Sequence, residues 1–184
     1  MKRVAVLISG RGSNLRSLIE NARGYQVVLV AADRLDAPGL EWARTQGIAA
    51  VGFPRPTPKD KSQYEAALDA ALTHAGVEAI ALAGYMRLLS DEFVARWRGR
   101  IVNIHPSLLP KYRGLDTHAR AIAAGDTEAG CSVHLVTEEL DAGHVLGQAR
   151  VPILAGDTAE TLAGRVLVEE HRLYPRVLAD WLTT

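Results

Sequence analysis

Asn103 and His105 stand two residues apart in RIVNIHPS, where an apolar run gives way to polar side chains. Alternate residues of a strand point to one face, so the pair shares a face. An Asn amide there can donate to a developing oxyanion. A His can act as acid, base or positive stabiliser near neutral pH. Such a histidine needs an acidic orienter to hold its tautomer. Asp141, in the turn TEELDAGH bounded by Gly143, is the best candidate, while Glu138 and Glu139 read as a solvated pair. No nucleophile elbow occurs, and Ser107 lies in a Pro-rich turn, so the set fits transfer between two bound substrates better than covalent catalysis. Of the other histidines, His74, His118 and His171 read as structural. His134 reads as a core or supporting group, and His144 as a rival partner for Asp141. Neither H-x-x-x-H nor H-E-x-x-H spacing is present, so no metal is expected.

A second centre is the loop SGRGSNL at 9–15. Its glycines allow a tight strand-to-helix turn, and a helix N-terminus aims free N–H groups at an anion. Gly12, Ser13 and Asn14 would offer backbone amides and a hydroxyl to a phosphate. The dinucleotide fingerprint is incomplete, because Leu15 stands where a third glycine is needed. Asp33 does follow about 20 residues on, as a ribose-binding acid would. An NAD(P)-dependent oxidoreductase or nucleotide-binding module using the Gly12 loop and Asp33 is therefore an alternative reading.

These residues need a frame. VAVLIS (4–9), QVVLVAAD (26–33), AAVGF, EAIALAGY (78–85) and RIVNI (100–104) read as strands, with helical patterns at 38–47, 61–76, 90–99 and 117–125 between them. Strand–helix alternation predicts an α/β fold with a mostly parallel open sheet and helices on both faces. AGCSVHLVT (129–137) and HVLGQARVPI (144–153) alternate more and predict antiparallel strands near the C-terminal end. The last helix, 157–182, contains Pro175, which is expected to kink or split it. Ligands of such sheets bind beyond the strand carboxyl ends, and GRGSN, AGYMRLL, NIHPS and TEELDAGH all follow strands. PRPTPKDKS (54–62) reads as a polar loop.

The 184 residues suit one domain, 1–184, with a sizeable core. Lys and Arg total 21 against 21 Asp and Glu, so no bulk attraction to nucleic acid or membrane is implied. A single cysteine, Cys131, excludes an intrachain disulfide framework and reads as a small apolar filler. MKRVAVLISG reads as a first strand rather than a leader, and no apolar run is long enough to span a bilayer, so a cytoplasmic location is expected.

LISGRGSNL, AGYMRLLS, NIHPSLLPKYRG and SVHLVTEELDAGHVLGQARVPI, in that order, resemble the phosphoribosylglycinamide formyltransferase (GAR transformylase) family across nearly the whole chain. The SLLP segment alone is also similar to methionyl-tRNA formyltransferase and formyltetrahydrofolate deformylase. Those enzymes carry an extra domain for which this length leaves no room. The resemblance implies a Rossmann-like formyltransferase fold and transfer of a formyl group from the co-substrate 10-formyltetrahydrofolate to the amine of GAR, a step of purine synthesis. It implies Asn103, His105 and Asp141 as the catalytic set and Gly12, Ser13 and Asn14 as the GAR phosphate loop, with Glu170 near GAR. It places Lys61, Met86, Arg87, Leu88, Leu89 and Asn103 against folate. Small molecules are the expected partners, with no nucleic acid and no membrane, and the chain is expected as a monomer or homodimer. Three features depart from relatives: Lys61 where Arg is frequent, Leu167 in place of a polar residue, and Arg113-Gly114-Leu115-Asp116 where a Pro and a His are common.

Overall fold

The computed structural model describes all 184 residues. Five runs rich in Val, Ile, Leu and Ala form parallel strands: β1 (Lys2–Ile8), β2 (Tyr25–Ala32), β3 (Ala49–Gly52), β4 (Ala79–Leu82) and β5 (Ile101–His105). Two more, β6 (Glu128–Leu135) and β7 (Val145–Pro152), add antiparallel neighbours beyond β5. The sheet order is β3-β2-β1-β4-β5-β6-β7. The order reverses between β1 and β4, so their carboxyl ends flank the crevice where α/β sheets bind ligands.

Six helices complete the chain: α1 (Ser13–Glu20), α2 (Pro38–Thr45), α3 (Lys61–His74), α4 (Asp91–Arg96), α5 (Thr117–Ala123) and α6 (Ala159–Thr183). On one face, Val4, Val6, Val102, Ile104 and Val133 meet Leu15, Leu40, Ala121, Val166 and Tyr174 of α1, α2, α5 and α6. On the other, Ala5, Leu7, Ile80 and Ile101 meet Tyr64 and Leu68 of α3, Phe93 of α4 and Trp97 just after it. Each fully buried Leu, Val or Phe contributes about 1.5–3 kcal/mol, so these layers carry most of the folding free energy. Cys131 belongs to the first core, as a small filler should. Ser90 caps α4 by accepting from the Phe93 N–H. No helix is long and apolar enough to cross a membrane.

Pro175 neither splits nor ends α6, which runs unbroken through it. A proline leaves the carbonyl four residues earlier without its helical donor. Here that carbonyl, of His171, accepts from the Ser17 hydroxyl of α1. The group that the break would orphan is satisfied by a neighbouring helix, and Pro175 stays buried in place.

Candidate active site

Strand alternation sets the first centre. Val102 and Ile104 of β5 point into the α6 core, so Asn103 and His105 take the opposite face. Across the antiparallel ladder, His134 pairs with Asn103 and Ser132 with His105, extending that polar face onto β6. A register shift between Val133 and His134 marks a bulge beside the pair, and bulges re-aim side chains next to sites.

Asp141 reaches this face by a path that strand order does not give. Because β6 runs antiparallel, its end at Leu135 lies opposite Val102, at the far end of β5 from His105. TEELDAGH therefore does not leave from the carboxyl edge of the parallel strands, as expected from its following a strand. It folds back, bringing Asp141 Oδ2 to 3.5 Å from His105 Nδ1 and Oδ1 to 3.7 Å from His134 Nε2. Gly143 permits the return: a Cβ there would lie 1.7 Å from the Leu135 carbonyl oxygen.

The His105 and Asp141 side chains are only 8% and 7% exposed. His105 Nε2 donates to the Tyr112 carbonyl at 2.9 Å, so the ring faces an acceptor on each side, an arrangement that an imidazolium satisfies with both N–H groups. Asp141 Oδ2 also accepts from the Gly114 N–H at 2.9 Å. Tyr112, Asp116 and Asp141 are the non-glycine residues with left-handed backbones, at φ 56, 55 and 50°. Such strain gathers where surrounding structure enforces a functional geometry.

His134 has the supporting role. Its Nδ1 bonds the Leu135 carbonyl at 2.9 Å, and burial lowers its pKa, so the ring is neutral with Nε2 as acceptor. The Asn103 amide donates to that nitrogen at 3.4 Å, which fixes which end of the amide is nitrogen. The histidines beside Asp141 are His105 and His134 rather than His144. His118 on α5 is depressed first by burial and then by the charge of His105. Sequence spacing missed the link from His134 to Asn103, because it runs through ladder register rather than through one segment.

The segment after β5 is pinned from beneath. Ser132 Oγ donates to the Ser107 carbonyl (2.7 Å) and accepts from the Leu109 N–H (3.0 Å). Gln148 donates to the Leu109 carbonyl at 2.9 Å. Tyr112 and Lys111 both reach Asp126, and Arg113 pairs with Glu139 at 2.9 Å, tying the 111–116 loop to the loop that carries Asp141. The basic run is thus committed to internal partners.

At the second centre, Gly12 caps α1 in a left-handed conformation, with no side-chain cap and no acid in the first turn. The turn's N–H groups remain available to an anion. A Cβ at Gly12 would sit 3.0 Å from that of Leu15, so the buried Leu15 packs where the fingerprint glycine would be. Asn14 is buried with its Oδ1 unpartnered. Glu170 of α6 is buried without a hydrogen-bond partner, and burial pushes its carboxyl up to about 7. Its charge is felt by Cys131, on the α6 side of β6, so it approaches from the face opposite to His105.

A third group lines a cleft of ≈ 420 Å³ between the 56–65 segment and the stretch after β4. Lys61, Met86, Arg87 and Leu88 all border it. Leu89 does not; it packs against the α3–α4 core. The Asp33 side chain is 0% exposed and pairs with Arg87 Nε at 3.0 Å. A carboxylate buried against Arg87 is poorly placed for a ribose hydroxyl, which disfavours the dinucleotide reading. Nowhere do three or more His, Cys, Asp or Glu side chains cluster with metal-binding geometry.

The chain matches a family model described as formyl transferase over residues 2–178. It is 43% identical to phosphoribosylglycinamide formyltransferase of Escherichia coli (strain K12), covering 96% of this chain and 85% of that protein. It is 48% identical to the trifunctional purine biosynthetic protein adenosine-3 of Drosophila pseudoobscura pseudoobscura, covering 97% of this chain but only 14% of that much longer protein. In three dimensions it resembles the crystal structure of phosphoribosylglycinamide formyltransferase from Brucella melitensis, with a TM-score of 0.91 at 52% identity, covering 98% and 95% of the two chains. Since the family match runs from β1 into α6 and takes in the glycine loop, the cleft and the polar face together, the chain belongs to the formyl transferase family.

Proposed function

We infer that this chain transfers the formyl group of 10-formyltetrahydrofolate to the amine of 5'-phosphoribosylglycinamide, giving formyl-GAR and tetrahydrofolate in purine biosynthesis. The observation that carries the chemistry is the convergence of Asn103, His105 and Asp141 on one buried polar face from two separate segments. The substrate identities rest on the family and on the relatives that bear this activity in their names.

The amine nitrogen attacks the formyl carbon, and the carbonyl π pair moves to oxygen. That oxyanion needs donors already in place, since preorganised N–H groups cost no reorganisation as charge develops. Asn103 supplies one amide N–H while His134 holds the other. The His105 Nε2–H, which also points to the Tyr112 carbonyl, is the second donor. Asp141 faces Nδ1 and offsets positive charge on the ring. Collapse breaks the bond from carbon to the folate nitrogen, and the proton lost by the amine passes to that nitrogen. One C–N and one N–H bond break, and one of each forms. The Gly12–Asn14 turn and Glu170 hold the phosphoribosyl substrate, while Lys61 and the 86–88 stretch hold the folate.

The test incubates purified chain with both substrates and follows N-formyl product and tetrahydrofolate together. Stoichiometric appearance of the two supports the reading. Loss of the formyl group to water alone, or no turnover, would overturn it.

A further inference from the structure

Asp33 was singled out by its position after β2, and formyl transfer leaves it without a task. Its setting is unusual: a fully buried carboxylate whose one partner is Arg87 Nε at 3.0 Å, with Oδ1 unpartnered. An unpaired buried charge is costly, so the contact with Arg87 is what sustains this one. Arg87 lies in the middle of the stretch from Tyr85 to Ser90, which has no regular secondary structure of its own. Exposure alternates along it. Met86 and Leu88 border the cleft and are each 68% exposed, whereas Tyr85, Arg87 and Leu89 are half-buried, Tyr85 and Arg87 still bordering the cleft while their polar ends bond inward to Tyr64 and Asp33.

The stretch is fastened from within at both ends. The Tyr64 and Tyr85 hydroxyls meet at 2.6 Å, and the Met86 N–H donates to Ser9 Oγ at 2.9 Å. The Ser90 N–H donates to Glu65 Oε2 at 2.9 Å. Only Asp33 grips the side chain between Met86 and Leu88. We propose that Asp33 is a positioning residue for the formyl donor: by drawing Arg87 inward it keeps Met86 and Leu88 presented to the cleft as a preformed apolar wall for the folate. The inference rests on the formyl-transfer reading above. Asp33 touches no substrate and acts through Arg87.

The experiment compares D33N, R87Q and the double variant with the wild-type chain. It measures kcat, the donor KM, the acceptor KM and the thermal midpoint, with 10-formyltetrahydrofolate as donor and GAR as acceptor. D33N should raise the donor KM about tenfold, within the range that ångström-scale misplacement produces, while kcat and the acceptor KM stay within about twofold. The double variant should have the same donor KM as R87Q, since Asp33 works only through that side chain. A donor KM unchanged in D33N overturns the proposal. So does an equal rise in both KM values, which marks general loosening, and so does a double variant worse than R87Q. If D33N does not fold, D33S is measured by the same criteria. If neither folds, Asp33 is a folding residue and the positioning role is overturned. An inactive wild-type chain would instead sink the formyl-transfer reading, so the two failures are distinguishable.

Discussion

The two faces of β5 and β6 share one backbone and have opposite tasks. On one side, Val102, Ile104, Cys131 and Val133 are sealed beneath α6. On the other, Asn103, His105, Ser132 and His134 carry hydrogen bonds, and the loops bearing Tyr112 and Asp141 lie against them. Strand alternation makes this economical, because a residue and its neighbour can serve stability and chemistry separately. The apolar face holds the strands still, and the polar face inherits that rigidity. On the proposed reading, preorganisation of Asn103 and His105 is a product of the packing beneath the opposite face of the same two strands.

Substitutions that distinguish the faces should fall in a definite order. The largest effect belongs to Asn103→Ala: kcat falls about 100- to 1000-fold, as for loss of one oxyanion donor, with the thermal midpoint little changed. A near-wild-type rate for this variant, or for His105→Ala, would sink the division of labour. Gly143→Ala comes next. Its Cβ cannot coexist with the Leu135 carbonyl, so the loop must move and carry Asp141 with it. Steady-state rates should fall about 100-fold, a cost typical of small misplacements.

Glu170→Gln tests the other face through pH. The carboxyl has an ordinary value of 4.5 and rises to about 7 in the fold. Below pH 4.5 it is protonated in both states and carries no penalty. As pH rises towards 7 the unfolded chain ionises first, and stability falls; above 7 the loss is complete. Glu170→Gln should therefore raise stability at pH 8 by on the order of 2–3 kcal/mol and leave it unchanged near pH 4.5, as read by denaturant unfolding at both pH values. A gain at both would assign the effect to packing. The smallest effect is the sharpest control. Ile104→Val sits between Asn103 and His105 in sequence but faces α6, and should cost about 0.5–1.5 kcal/mol of stability while kcat is retained.

Much of this was legible in the sequence because it is periodic. Continuous apolar runs identified β1, β2, β4 and β5, and the alternation of 129–137 and 144–153 identified the antiparallel pair. The i, i+2 spacing placed Asn103 and His105 together, and the glycine loop announced the open end of α1. What escaped depends on register and on long-range partners. The fold-back of Asp141 is decided by a glycine pressed against a carbonyl, and the grip of His134 on Asn103 by cross-strand pairing. Asp33 has the right spacing for a ribose acid, and only Arg87, 54 residues later, argues against that role. Pro175 read as a kink or a split, and the split is absent because a hydroxyl on another helix, to which local propensity has no access, takes the freed carbonyl.

That last contact carries a consequence of its own. A proline in a helix is ordinarily counted as a subtraction. In α6 the subtraction opens a socket, and Ser17 is the peg. The joint fastens the helix that begins at the Gly12 turn to the helix that bears Glu170, one residue before the socket carbonyl. Two groups proposed to hold the same substrate, from opposite ends of the chain, thus share one piece of carpentry. Replacing Pro175 with alanine would restore an N–H to α6, yet it would make the carbonyl divide itself between two donors. The residue that looks like a flaw in one helix is the mortise that holds two of them in register.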